Sequence, residues 1–163
     1  MNMITAIEDA MLAALKDQLP RTITRIDVFP DDPEAFDFPE ADTAACFLRY
    51  DRSTYAGSDS EPRRAYAPTR ALTYEVVVLV RSLRGADGGR IGAHDALEAV
   101  RLAFQGRSFA GGTAMVPAGD ELQQQKGSVW RWAMRFTCRM PAVARSVADD
   151  GDRPNMFTRA EAS

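Results

Sequence analysis

Thr73-Tyr74-Glu75-Val76-Val77-Val78-Leu79-Val80-Arg81-Ser82-Leu83, followed by Arg84-Gly85-Ala86-Asp87-Gly88-Gly89 and then Ala93-His94-Asp95-Ala96-Leu97-Glu98-Ala99-Val100-Arg101-Leu102-Ala103-Phe104, decides the fold. The first part is rich in β-branched residues and reads as a strand spanning Ala71 to Leu83. Val76, Val78 and Val80 line one face, and Val77 and Leu79 are apolar on the other. A strand apolar on both sides belongs at the centre of a sheet, covered on two faces or buried against another subunit. The second part repeats apolar residues at Ala93, Leu97, Val100 and Phe104, the spacing of an amphipathic helix. Gly106 suits a left-handed position just beyond its end.

Upstream, Ile4, Ile7, Met11, Leu15 and Leu19 mark a first helix. Thr5 with Glu8 three positions later has the pattern of a capping box, and Pro20 closes the helix by disfavouring helical geometry in Leu19. Thr22 to Phe29 alternates, with Ile26 and Val28 opposite Arg25 and Asp27, as a short half-buried strand does. Asp31 to Asp42, broken by Pro33 and Pro39, reads as an irregular acidic connector. Thr43 to Tyr50 is a further strand, with Cys46, Leu48 and Tyr50 on one side. Asp51 to Arg70 is punctuated by Ser, Gly and Pro and reads as a long mobile excursion, in which Tyr55, Arg63, Arg64 and Tyr66 are the contact-prone residues.

Downstream, Thr113 to Leu122 contains Pro117 and is expected at a sheet edge or a bulge, with Gln123 to Gly127 as the turn. Ser128 to Met140 alternates cleanly: Trp130, Trp132, Met134, Phe136, Cys138 and Met140 against Val129, Arg131, Ala133, Arg135, Thr137 and Arg139. The expectation is one α/β (α+β) domain over residues 1–143. It contains a mostly antiparallel sheet of about five strands flanked by two helices, in the order α-β-β-β-α-β-β. Residues 144–163 are expected to form a flexible tail.

Composition narrows the function classes. The chain has 163 residues, 45% of them apolar, a net charge of −3 and a pI near 5.2. That charge disfavours a strongly basic nucleic-acid binder. No apolar run is long enough for a membrane-spanning helix, and no signal peptide is expected from the N-terminal residues. The two cysteines, Cys46 and Cys138, sit in apolar-alternating strands and read as small buried hydrophobes.

Chemistry-bearing candidates are few. His94 is the single histidine, and adjacent helix positions do not face each other, so His94-Asp95 is not an acid–base pair. Gly85 to Gly92 lacks the spacing and the lysine of a phosphate-cradling loop. The acids from Asp31 to Asp42 lack the spacing of a calcium loop. Arg131, Arg135 and Arg139, with Arg81 and Arg84, read as a solvated sheet face, or as a charged surface used against a neighbouring subunit or passing DNA. No catalytic, metal or cofactor site is expected.

Ile4-Thr5-Ala6-Ile7-Glu8-Asp9-Ala10-Met11-Leu12, Val80-Arg81-Ser82-Leu83-Arg84-Gly85 and Ala96-Leu97-Glu98-Ala99-Val100-Arg101-Leu102-Ala103-Phe104-Gln105-Gly106 resemble the small tail-region protein of Mu-like phages and prophages. Members behave as tail terminator or tail completion proteins. The resemblance follows element order over roughly residues 3 to 140. It implies a tail-terminator-like fold and a homo-oligomeric ring, most simply a hexamer. Such a ring would cap the tail tube, and the sheath in a contractile tail, and offer a surface to the head-side connector. It implies a place in the virion tail or neck after assembly in the host cytoplasm, with nucleic acid met only as DNA passing through the ring. Tyr55, Arg63, Arg64, Tyr66, Glu75, Arg131, Arg135 and Arg139 are the candidate subunit or partner contacts. A head–tail adaptor and a nucleic-acid-binding α/β module are the competing readings.

Overall fold

The computed structural model describes residues 2–31, 44–56, 68–85 and 91–142. The elements are α1 (Met3–Gln18), β1 (Arg25–Val28), β2 (Ala44–Ala56), β3 (Thr69–Val80), α2 (Ala93–Phe104), β4 (Val116–Lys126) and β5 (Val129–Pro141). The sheet has the order β1-β2-β3-β5-β4, with β1 parallel to β2 and every other pair antiparallel. The expected α+β fold and element order are those observed. A parallel neighbour cannot be reached by a hairpin, which accounts for the length of sequence between Val28 and Ala44.

β3 occupies the centre, as its two-sided apolar pattern requires. Leu72, Tyr74, Val76, Val78 and Val80 face the helices, joined there by Cys46, Leu48, Met134, Phe136 and Cys138. Ile7, Met11 and Leu15 come down from α1, and Leu97, Val100 and Phe104 from α2. The Phe104 and Phe136 rings meet edge to face, 5.1 Å apart at an interplanar angle of 86°. Trp130 and Trp132, which alternate onto the same face as Met134 and Phe136, are only partly buried at the border of this core.

Several boundaries differ from the sequence reading. Asn2, not Thr5, caps α1: its side-chain oxygen accepts from the Thr5 N–H at 2.9 Å. Glu8 is therefore released from the cap, and its carboxylate accepts from the Tyr50 N–H of β2 at 3.0 Å. That contact falls where the β2–β3 register slips between Tyr50 and Arg52, so the helix side chain holds a bulged strand. β2 continues through Asp51–Ala56, with Arg52–Ala56 pairing with Thr69–Thr73, so both ends of the excursion expected from Asp51 to Arg70 are strand, and the rest of that expectation falls on residues 57–67. Those residues lie outside the described ones, as does the expected tail 144–163. β4 is an edge strand with irregularities at Pro117/Gly119 and Leu122/Gln124, as Pro117 suggested. It runs on to Lys126, however, so the turn is at Gly127 rather than across Gln123 to Gly127.

The Gly-rich turn has a packing role. A Cβ at Gly92 would stand 2.2 Å from the Gly85 nitrogen and 2.4 Å from the Arg84 carbonyl carbon, so only glycine lets the helix start lie against the strand end. There the Ala93 and His94 N–H groups donate to the Ser82 and Leu83 carbonyls at 2.8 and 3.2 Å. Two of the donors that would cradle a phosphate are thus already engaged.

Candidate interaction surface

The sheet face away from the helices carries the charged residues. Its apolar floor is Ala45, Phe47, Val77 and Leu79, with Phe29 and Val129 packed against it. Alternation in β3 puts Glu75 on this face. The ladder places Arg49 of β2 and Arg135 of β5 directly opposite it on either side. Glu75 is fully buried, and the arginine side chains are 41% and 30% exposed. Arg49 donates from Nε to Glu75 Oε1 at 2.9 Å, and its terminal nitrogen lies 2.6 Å from the same oxygen. Arg135 approaches Oε2 at 2.9 Å and Glu121 at 3.0 Å.

A carboxylate withdrawn from water at the middle of a sheet is tolerated only with such partners. Here one acid joins three strands. Its geometry is imperfect: the Arg135 contact is off the hydrogen-bonding angle, leaving Glu75 Oε2 and Arg135 Nε without a hydrogen bond among the described residues. The Arg135 guanidinium is held even more firmly protonated than usual, chiefly by its hydrogen bond to Glu121, with Glu75 adding to the effect.

Aromatic rings complete the layer. Phe29 meets Phe47 edge to face at 6.2 Å. The Arg49 and Arg131 guanidiniums lie 5.3 and 5.5 Å from the Phe29 ring centre, and Arg25 lies 5.6 Å from that of Phe47. Arginine stems and planar heads can cover apolar floor while their outer N–H groups stay wet. Arg131 also donates to Gln123 at 3.0 Å.

The other candidates are spread out. Tyr55 is 54% exposed near the far end of β2, with the Arg70 guanidinium 5.6 Å from its ring centre. Arg70 also donates to the Ser53 hydroxyl at 2.9 Å. Arg139 is exposed, and its backbone is clamped by Thr113: the Arg139 N–H donates to the Thr113 hydroxyl at 2.8 Å. This clamp borders a shallow cleft of about 560 Å³ lined by Thr113, Ala114, Val116, Thr137, Cys138 and Arg139. Arg63, Arg64 and Tyr66 lie outside the described residues. The structure therefore brings Glu75, Arg131 and Arg135 onto one face and leaves Tyr55 and Arg139 near the strand ends. Glu75 itself is sealed beneath its arginines.

Arg49, Glu121 and Phe29 were missed. The available signal was Glu75, a single charge within an otherwise apolar run. Naming its partners also requires the order of the strands. Among the described residues no group of His, Cys, Asp or Glu could hold a metal ion, and no helix is long and apolar enough to cross a membrane. His94 and Asp95 are both exposed at the start of α2. Burial pushes the Cys46 thiol up to about 12 and raises that of Cys138.

A five-stranded, mostly antiparallel sheet with two helices on one face and a charge-laced aromatic layer on the other defines an α+β protein. Residues 11–159 match the model of the Gp37 protein family, and the chain belongs to that family. A chain in the solved virion of a native gene transfer agent (GTA) particle is similar in fold, with a TM-score of 0.55 and 14% identity. The match covers 85% of this chain and 97% of that one. No curated protein matches.

Proposed function

We propose that the protein is a structural component of a phage-type particle, acting as a tail terminator or completion factor. In this reading a ring of identical subunits, most simply six, caps the tail tube, and the sheath where there is one. It presents its other side to the head-side connector. The observation that carries the reading is the fold likeness, which spans nearly the whole of a chain from a GTA virion. The resemblance of Ile4–Leu12, Val80–Gly85 and Ala96–Gly106 to tail-region proteins supports the more specific role.

The work proposed is mechanical. A terminator must bind the last tube ring through one surface and refuse a further copy of the tube subunit on the other. That requires a stiff body, which the three strands joined at Glu75 supply, and surfaces of different character on opposite sides. Heterologous contacts between unlike surfaces close into rings when the rotation permits. A head–tail adaptor is the second reading, because likeness to a virion chain carries no position along the particle. The two are separated by labelling the protein in purified particles. A terminator is found at the head-proximal end of free tails, whereas an adaptor stays with tail-less heads.

A further inference from the structure

β4 is unusual for an edge strand. Of its eleven residues only Pro117 is even partly buried, so the side chains are open on both faces. Val116 is 60% and Leu122 is 44% exposed. Natural edges are kept short or blunted, because an open row of N–H and C=O groups recruits another strand. Here Pro117 and the two register irregularities blunt the flanks, but Gly119–Leu122 runs in regular register against Arg135–Trp132. Beside it on the helix face, Trp130 and Trp132 are only partly covered, and the Trp132 indole N–H is buried without a hydrogen bond among the described residues.

The opposite edge of the same sheet fits this stretch. β1 is four residues long, the length of the regular stretch of β4. β1 runs antiparallel to β4, because the ladder inverts direction at each step except β1–β2. Rotation about an axis along the strands therefore brings β1 of one copy beside β4 of the next as an antiparallel pair. The faces agree as well. Ile26 and Val28 share the helix face with Leu122 and Trp132, and Val28 is 41% exposed. On the other face Arg25, which covers Phe47, comes beside Glu121, the half-exposed acid that pairs with Arg135.

The geometry points to the Gly119–Leu122 stretch of β4 as the seam at which a second copy of this chain joins, its β1 entering by strand addition. One edge meets a different edge, so the contact propagates and closes as a ring rather than stopping at a dimer. This inference rests on the ring proposed above and names the surfaces that would build it.

The test is a cysteine pair on the helix face, Val28→Cys on β1 with Asp120→Cys on β4, treated with a short bis-maleimide at concentrations where wild-type mass measurements show assembly. Native Cys46 and Cys138 are buried and do not compete. The double variant should give a ladder of covalent species beyond the dimer, and neither single variant should. Leu122→Arg should raise the concentration needed for assembly by roughly tenfold or more, while leaving the unfolding midpoint unchanged. If the wild type assembles but the pair gives no ladder, the ring stands and this seam is wrong. If Asp120→Cys alone gives dimers, β4 pairs with its own copy and the heterologous seam is refuted. A wild type that stays monomeric at every concentration and on isolated tails overturns the ring reading and the seam together.

Discussion

Replacing Arg135 with methionine should reveal how much the buried acid depends on its partners. Glu75 is fully buried, and Arg135 lies 2.9 Å from its Oε2. At an effective dielectric of about 20, unit charges at that distance attract by about 6 kcal/mol. The Arg135 side chain is 30% exposed, so part of that is recovered by water when the pair is absent. What remains is the cost of leaving the Glu75 carboxylate with Arg49 alone, about 2–4 kcal/mol. Loss of the Glu121 contact adds little, because Glu121 is 55% exposed. For a chain of this size a loss of about 3 kcal/mol lowers the thermal midpoint by about 6–12 °C. Arg49→Met should behave alike. The triple replacement Arg49→Met, Glu75→Leu, Arg135→Met removes the stranded charge along with its partners and should return to within about 2 kcal/mol of wild type. Thermal and urea unfolding monitored by tryptophan fluorescence measure all three. A neutral Arg135→Met, or a triple variant no better than either single, would refute the account of the face.

Phe136→Ala empties a fully buried site packed edge to face on Phe104 and should cost about 3–5 kcal/mol in urea unfolding. Gly92→Ala drives a Cβ into the backbone at Arg84 and Gly85, so it should abolish soluble expression or lower the midpoint more than Gly112→Ala, whose nearest neighbour is the Cys138 sulfur at 3.3 Å. Burial, partly opposed by the Tyr50 N–H, raises the Glu8 carboxyl above 4.5, so the folded state holds its proton longer than the unfolded one. Wild-type stability should therefore fall slightly as pH rises from 4.5 through the raised value, and Glu8→Gln, which keeps an acceptor for Tyr50, should flatten that slope. The Cys46 thiol should resist alkylation at neutral pH in the native protein and react once it is unfolded, as mass spectrometry of iodoacetamide-treated samples will show.

What could be read from the chain follows from how strongly each residue is tied to one environment. β3 and β5 alternate or run apolar because both are flanked by partners, and their positions followed from that. Asp51–Ala56 carries Ser, Asp and Arg and looks like a turn, yet all of it but the bulged Asp51 pairs as a strand with Thr69–Thr73. Strand pairing there overrides local propensity. Gln123–Lys126 was misread for the opposite reason: an edge strand open on both faces has no apolar face to display. The capping-box pattern at Thr5 and Glu8 was a chance spacing, since Asn2 supplies the cap and Glu8 serves the β2 bulge. The arginine stripe was visible, but its use was not. Arg49, Glu75 and Arg135 lie far apart in sequence and meet only once the order β2-β3-β5 is known.

The central claim is that this chain ends a tail, and electron microscopy of particles assembled without it tests that most directly. With the gene deleted and complemented in parallel, the account predicts heads beside unjoined tails of irregular length, with normal particles restored by complementation. Normal, infectious particles of ordinary tail length from the deletion alone would contradict it.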